Sequence, residues 1–211
     1  MVELELPGFG ESPLNERTDG AASMADTAAE VIAALGAGPV HLWGTSMGGL
    51  IATHLAVRRP DAVRSLILEA PGAFRVDGRN PAGLSPGELS RALNTRPERV
   101  AWRTPRPPDP DRWRLVVRIM GPAHDAELEA RLAEIAVPTL VMWGEDDGVF
   151  SPAGSTTYRD NVRHCAVALF ADAAHDLQGD RPEACAELVR LFLADGLGFT
   201  AGHREIRVEP D

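Results

Sequence analysis

Ser46, Asp147 and His175 are residue types that together can cut an acyl bond, and each stands where a loop is expected. A serine hydroxyl is a poor nucleophile near neutral pH and needs an adjacent base. Imidazole suits that role because its charge changes close to working pH. A carboxylate behind the imidazole holds its tautomer and stabilises the cation as it forms. Ser46 lies at the apex of Gly44-Thr45-Ser46-Met47-Gly48, a Gly-x-Ser-x-Gly pattern. Met47 supplies the following backbone amide, which faces the position where an oxyanion would form, and Gly44 and Gly48 are expected to leave room where side chains would clash. The bland alternative, a glycine-rich turn without chemistry, is disfavoured by what flanks the pattern. Asp146 and Glu145 compete with Asp147 for the acid, since a loop's geometry is not readable from its spacing.

The elements around these residues are those the chemistry needs. Val40–Trp43 is a short β-prone run before the pattern, and Leu50–Val57 carries apolar residues at helical spacing after it, ending at Arg59-Pro60. The apolar runs Arg64–Glu69, Pro138–Trp143 and Ala166–Phe170 read as buried parallel strands. MVELEL at residues 1–6 alternates weakly and reads as another strand. Helices are expected near Met24–Leu35, with Ala28, Val31, Ile32 and Leu35 facing the core, near Gly154–Asn161, and at Pro182–Leu193. Arg204–Val208 is open between strand and disorder. Ser46, Asp147 and His175 then fall at carboxyl ends of strands, where open α/β sheets place their sites. The expected architecture is an α/β fold with a mostly parallel sheet of about five strands and flanking helices.

Between Phe74 and Val137 the alternation stops. This stretch is rich in Pro and Arg, with short helical patterns at Ser85–Leu93, Asp111–Met120 and Ala126–Ile135 and a proline-dense break at Thr104–Pro110. Trp102, Trp113, Leu115, Val116, Val117 and Met120 offer too much apolar surface for a linker. Residues 74–137 therefore read as a small helical cap inserted into a core of residues 1–73 and 138–211.

Bulk properties narrow the partners. The chain has 211 residues and a formal net charge of -10, and its basic residues are all Arg. An acidic chain without a basic stripe argues against nucleic acid and anionic membranes. No apolar run approaches the roughly 20 residues of a membrane span, and MVELELPGFG lacks the features of a signal peptide. Cys165 and Cys185 show no metal-ligand spacing and read as core thiols of a cytoplasmic protein. His41 and His54 fall within a strand and a helix; His124, His164 and His203 read as surface. No carboxylate and histidine cluster suggests a metal, and no cofactor is expected.

The chain resembles capped, cofactor-independent α/β-hydrolase-fold proteins. The matching pieces are Leu6–Ser12, Trp43–Gly49, Pro138–Asp147, and Ala174-His175 leading into Arg181-Pro182-Glu183. The resemblance makes Asp147 the acid, three positions after the strand's glycine, and keeps Glu69 as an alternative that some relatives would use. It implies a serine hydrolase acting by acyl transfer on a small ester-like or activated carbonyl substrate. A cofactor-free haloperoxidase or a C–C bond hydrolase would share the same triad. Serine instead of aspartate at 46 speaks against dehalogenase and epoxide-hydrolase chemistry.

The resemblance also implies three strands ahead of residues 1–6 and a His-Gly turn giving a second oxyanion amide, and no stretch of this sequence matches them. Either MVELEL pairs directly with Val40–Trp43, or the chain is a piece or late-start product of a longer protein. Loss of one oxyanion donor typically costs on the order of 10²–10³ in turnover, so a weakly active or non-catalytic ligand-binding protein is the rival reading. An exposed sheet edge would favour homo-oligomers.

Overall fold

The apolar runs form one parallel sheet in a computed structural model that describes residues 1–77, 85–100 and 110–210, and of Pro86 the backbone alone. Its strands are β1 Val40–Thr45, β2 Val63–Glu69, β3 Thr139–Gly144, β4 Cys165–Phe170 and β5 Glu205–Val208, adjacent in chain order. The three central strands are buried along nearly all their length because helices cover both faces. Alternate residues go to opposite faces. Leu66, Leu68, Val141, Trp143, Cys165 and Val167 join the cluster with α1 (Ala21–Ala34) and α2 (Met47–Arg58). Ile67, Leu140, Met142, Ala166 and Phe170 face the opposite cluster, which contains Leu188 and Phe192.

Residues 1–6 are not a strand. Phe9 N–H donates to the Leu6 carbonyl at 2.9 Å and Ser12 N–H to Phe9, while the Glu5 carboxylate turns back to accept from Glu11 N–H at 2.8 Å. Met1, Val2 and Leu4 are exposed, so the alternation has no buried face to hold it against a neighbour. Among the described residues β1 pairs with β2 alone, and the fifth strand comes from Glu205–Val208 at the opposite edge. The expected strand number stands, with a different member.

Helix α1 begins at Ala21, earlier than its spacing suggests, and buries Ala21, Met24, Ala25, Ala28 and Ala29. Leu35 is exposed instead of facing the core. Small residues win that face because α1 lies close against α2, where bulkier side chains would hold the helices apart.

The described residues between β2 and β3 include α3 Pro86–Leu93, α4 Pro110–Met120 and α5 Ala126–Arg131, with 3-10 turns at Pro97–Val100 and Leu132–Glu134. Ser85 caps α3 with a capping box closed by Glu88, and Asp125 caps α5 by accepting from Leu128 N–H. Leu115 and Ile119 of α4 reach the core, whereas Trp113 and Val117 face solvent. Trp102 and most of the proline-dense break lie outside the described residues. The remaining helices are α6 Ser155–Asn161, α7 Leu177–Asp180 and α8 Pro182–Gly202, which bends at Asp195 and runs well beyond Leu193.

Candidate active site

Ser46 occupies the turn between β1 and α2 with φ 55°, a left-handed conformation that costs a side-chain-bearing residue energy and persists where its surroundings over-determine it. Two backbone bonds do so here. Ser46 N–H donates to Glu69 O at 2.8 Å, and Gly72 N–H donates to Ser46 O at 3.0 Å. A side chain at Gly44 would place its first carbon 2.3 Å from Gly48 O. The second close approach is at Gly49, whose Cβ would lie 2.8 Å from Pro71 Cβ. At Gly48, expected to be crowded along with Gly44, an added carbon meets nothing within 4 Å outside its own helix turn and chain neighbours. Helix α2 starts at Met47, and its first N–H groups have no acceptor within the helix and carry the positive end of its dipole.

Asp147 and His175 meet directly. His175 Nδ1 lies 2.9 Å from Asp147 Oδ2, and both side chains are buried. An ionised carboxylate only accepts, so Nδ1 carries the proton and donates. Asp147 Oδ2 also accepts from the Trp143 indole at 2.8 Å, and Oδ1 accepts from the N–H groups of Val149 and Phe150. Such donors offset the cost of burying a charge. The ring of Phe150 stands edge-on to His175, centroids 5.1 Å apart.

The loops carrying Asp147 and His175 are stitched to each other. Asp146 N–H donates to Ala173 O, and Glu145 N–H donates to Phe170 O. Gly144 allows this, since a carbon there would sit 2.1 Å from Ala174 O. The competing acids are placed elsewhere. Glu145 pairs with Arg207, which holds its carboxyl below the usual range, and Asp146 is exposed.

Glu69, weighed as an acid, bonds the loops on either side of the site. Its fully buried carboxylate accepts from Trp43 Nε1 at 3.3 Å, Thr45 Oγ1 at 3.0 Å, Leu177 N–H at 3.1 Å and Gln178 Nε2 at 2.8 Å. Burial pushes its pKa up, and the hydrogen bonds from Gln178, Thr45 and Trp43 oppose the rise. Glu69 thus joins the Ser46 turn, through its own carbonyl and through Thr45, to the segment after His175. Its place at the end of β2 was legible; the partners of its carboxylate were not.

Four of the other histidines have partners. His41 Nδ1 lies 2.7 Å from Ser65 Oγ, and His54 Nε2 lies 3.7 Å from Asp125. His124, read as surface without a partner, is exposed but pairs with Glu129 at 2.9 Å. His203 Nδ1 lies 3.1 Å from Phe199 O, and His164 is half-buried. Among the described residues, no group of three His, Cys, Asp or Glu side chains is placed to hold a metal, and no helix is long and apolar enough to cross a membrane.

A parallel sheet with a strained serine turn at one strand end and a buried aspartate–histidine pair at two others is the architecture of α/β hydrolases. The chain matches the Alpha/beta hydrolase family over residues 2–188, and it belongs to that family and is a hydrolase of that type. It is 29% identical to the pimeloyl-[acyl-carrier protein] methyl ester esterase of Neisseria meningitidis serogroup B, an alignment covering 92% of this chain and 82% of that one. It is 27% identical to a monoacylglycerol lipase of Homo sapiens, covering 74% of this chain and 55% of the lipase. Among solved structures, the meta-cleavage product hydrolase from Pseudomonas fluorescens superposes with a TM-score of 0.72 at 18% identity, over 90% of this chain and 78% of that one.

Proposed function

We propose that this chain is a serine esterase that works by acyl transfer on a small carboxylic ester or related carbonyl compound, with residues 74–137 forming a cap over the site. Ser46 Oγ attacks the carbonyl carbon while His175 Nε2 takes its proton. The Met47 amide donates to the oxyanion as the tetrahedral intermediate forms. The intermediate collapses with cleavage of the bond to the leaving alcohol, which receives the proton from His175. Water then attacks the acyl-serine by the same route, releasing the acid and free Ser46. Asp147 keeps Nδ1 protonated and so leaves Nε2 as the base.

The observation that carries this reading is the buried 2.9 Å bond between His175 and Asp147, in a fold whose β1–α2 turn holds Ser46 at φ 55°. The names of the two curated relatives, an esterase and a lipase, support an ester substrate. The reaction needs no cofactor in this scheme. We further propose a cytoplasmic location, on the strength of two buried free thiols, and self-association through the edge of β1. The test is a fluorophosphonate probe with a panel of p-nitrophenyl esters. Labelling at Ser46, absent in Ser46→Ala, together with ester hydrolysis is expected. A folded chain that takes no label and cleaves no ester would instead be a ligand-binding member of the family.

A further inference from the structure

Asp180, at the end of α7, is fully buried, and its carboxylate joins two segments far apart in the sequence. Oδ2 accepts from Thr95 N–H at 2.9 Å and from Ala174 N–H at 2.8 Å, and Oδ1 accepts from Arg96 N–H at 3.1 Å. Arg99 Nη1 donates to the Asp180 carbonyl at 3.0 Å. Ala174 immediately precedes His175, whereas Thr95, Arg96 and Arg99 belong to the insert between β2 and β3.

Neighbouring residues of the insert extend the same pattern. Gly148 N–H, one residue after Asp147, donates to Ala92 O at 3.2 Å. Asp176 N–H, one residue after His175, donates to Leu93 O at 2.9 Å. Asn94 Nδ2 donates to Asp176 Oδ2 at 3.2 Å, and Thr95 Oγ1 donates to Asp172 O at 3.1 Å. A strap of residues 92–96 therefore bonds the position following the acid and the position following the base, and Asp180 closes it.

Burying a carboxylate is costly unless donors replace its water. Here the donors are three backbone N–H groups, which fix geometry more tightly than a long flexible cation does. We infer that Asp180 is a positioning residue that clamps the insert to the loop of His175, so that the base is seated for turnover while the strap is in place. The inference rests on the triad reading above. Asp180 touches no reacting atom; it acts through Ala174 and the strap.

Two measurements on Asp180→Asn test it. Whichever way the new amide is turned, its nitrogen faces at least one backbone N–H, so the clamp loses an acceptor. Hydrogen exchange at the Thr95, Arg96 and Ala174 amides reports the clamp independently of activity and is expected to accelerate about tenfold. Turnover of a p-nitrophenyl ester, per Ser46 labelled to completion by fluorophosphonate, is expected to fall about tenfold with KM within about twofold. A purely structural role would reduce the number of labelled sites and leave turnover per site unchanged, and that result overturns the inference. So does faster exchange without a change in kcat. Arg99→Ala leaves the buried carboxylate in place and is expected to move kcat and exchange in the same direction, about threefold; if Asp180→Asn fails to fold, this variant decides, and no change in either quantity overturns the clamp. A wild-type chain that takes no label refutes the serine reading, and the clamp then stands or falls on exchange alone.

Discussion

At the scale of single residues, the site's order of importance follows from what each atom does. On the proposed mechanism, Ser46→Ala removes the attacking oxygen and should lower kcat on the order of 10⁶-fold in steady-state ester hydrolysis, with the fold retained by circular dichroism. In Asp147→Asn the single amide oxygen can serve either Val149 and Phe150, which bond Oδ1, or Trp143 and His175, which bond Oδ2; kept on the Oδ1 side it turns the amide nitrogen toward His175 Nδ1, and the Nδ1–H tautomer of His175 is no longer enforced. A kcat loss on the order of 10⁴-fold with little change in KM is expected. Glu69 makes a stability prediction. Its folded-state pKa is raised by burial, so the native chain binds that proton more tightly than the unfolded one. This contribution is fully present below the ordinary glutamate value and is lost as pH rises from there through the raised value. Urea unfolding across that window should lose more stability in the wild type than in Glu69→Gln; parallel curves would refute it. Ser46, Asp147 and His175 could be picked out as candidates in the sequence because acyl-transfer chemistry calls for those residue types at strand ends. The partners of Glu69 were not legible, because Trp43 and Thr45 come from one segment and Leu177 and Gln178 from another, both far from Glu69 in the chain and brought to it by the sheet.

At the scale of elements, the Ser46 turn depends on contacts its glycines permit. Gly44→Ala drives a carbon into Gly48 O and should destabilise by about 2 kcal/mol or more in denaturant titration. Gly48→Ala, with open space before it, should cost less than about 1 kcal/mol, and its helix propensity even favours the change. The motif singled out Gly44 and Gly48 together; the crowding falls on Gly44 and Gly49, since Pro71 approaches from the segment after β2. Helix ends were read well where a cap or stop is encoded locally, as at Ser85 and Pro182. Residues 1–6 were misread because alternation over so short a run carries little weight without a buried face to hold it against a neighbour.

At the scale of the whole molecule, the two buried thiols probe global opening. Burial pushes both Cys165 and Cys185 up to about 12. Both should therefore resist iodoacetamide at neutral pH in the native chain and react fully in guanidinium. Reaction of either thiol in the folded state would contradict its burial. Phe192 lies at zero exposure beneath the sheet, packed edge-on against Phe199 across the bend of α8. Phe192→Ala should cost about 3–5 kcal/mol and lower the thermal midpoint.

The sequence by itself determined the α/β class and most of the strands and helices, and it pointed to the three candidate residues of the proposed site, because hydrophobic period, caps and a serine turn between glycines are local properties. Only the tertiary structure decided that β5 closes the sheet in place of residues 1–6, that Asp147 and not Asp146 or Glu145 meets His175, and that Asp180 and Glu69 tie the loops together. Those are facts of which strand lies beside which, and the bonds from Asp147 to His175, from Thr95 to Asp180 and from Glu69 to Leu177 span 28, 85 and 108 residues of chain. No local signal reports such distances, because the energy that selects them comes from burial and pairing in the assembled core.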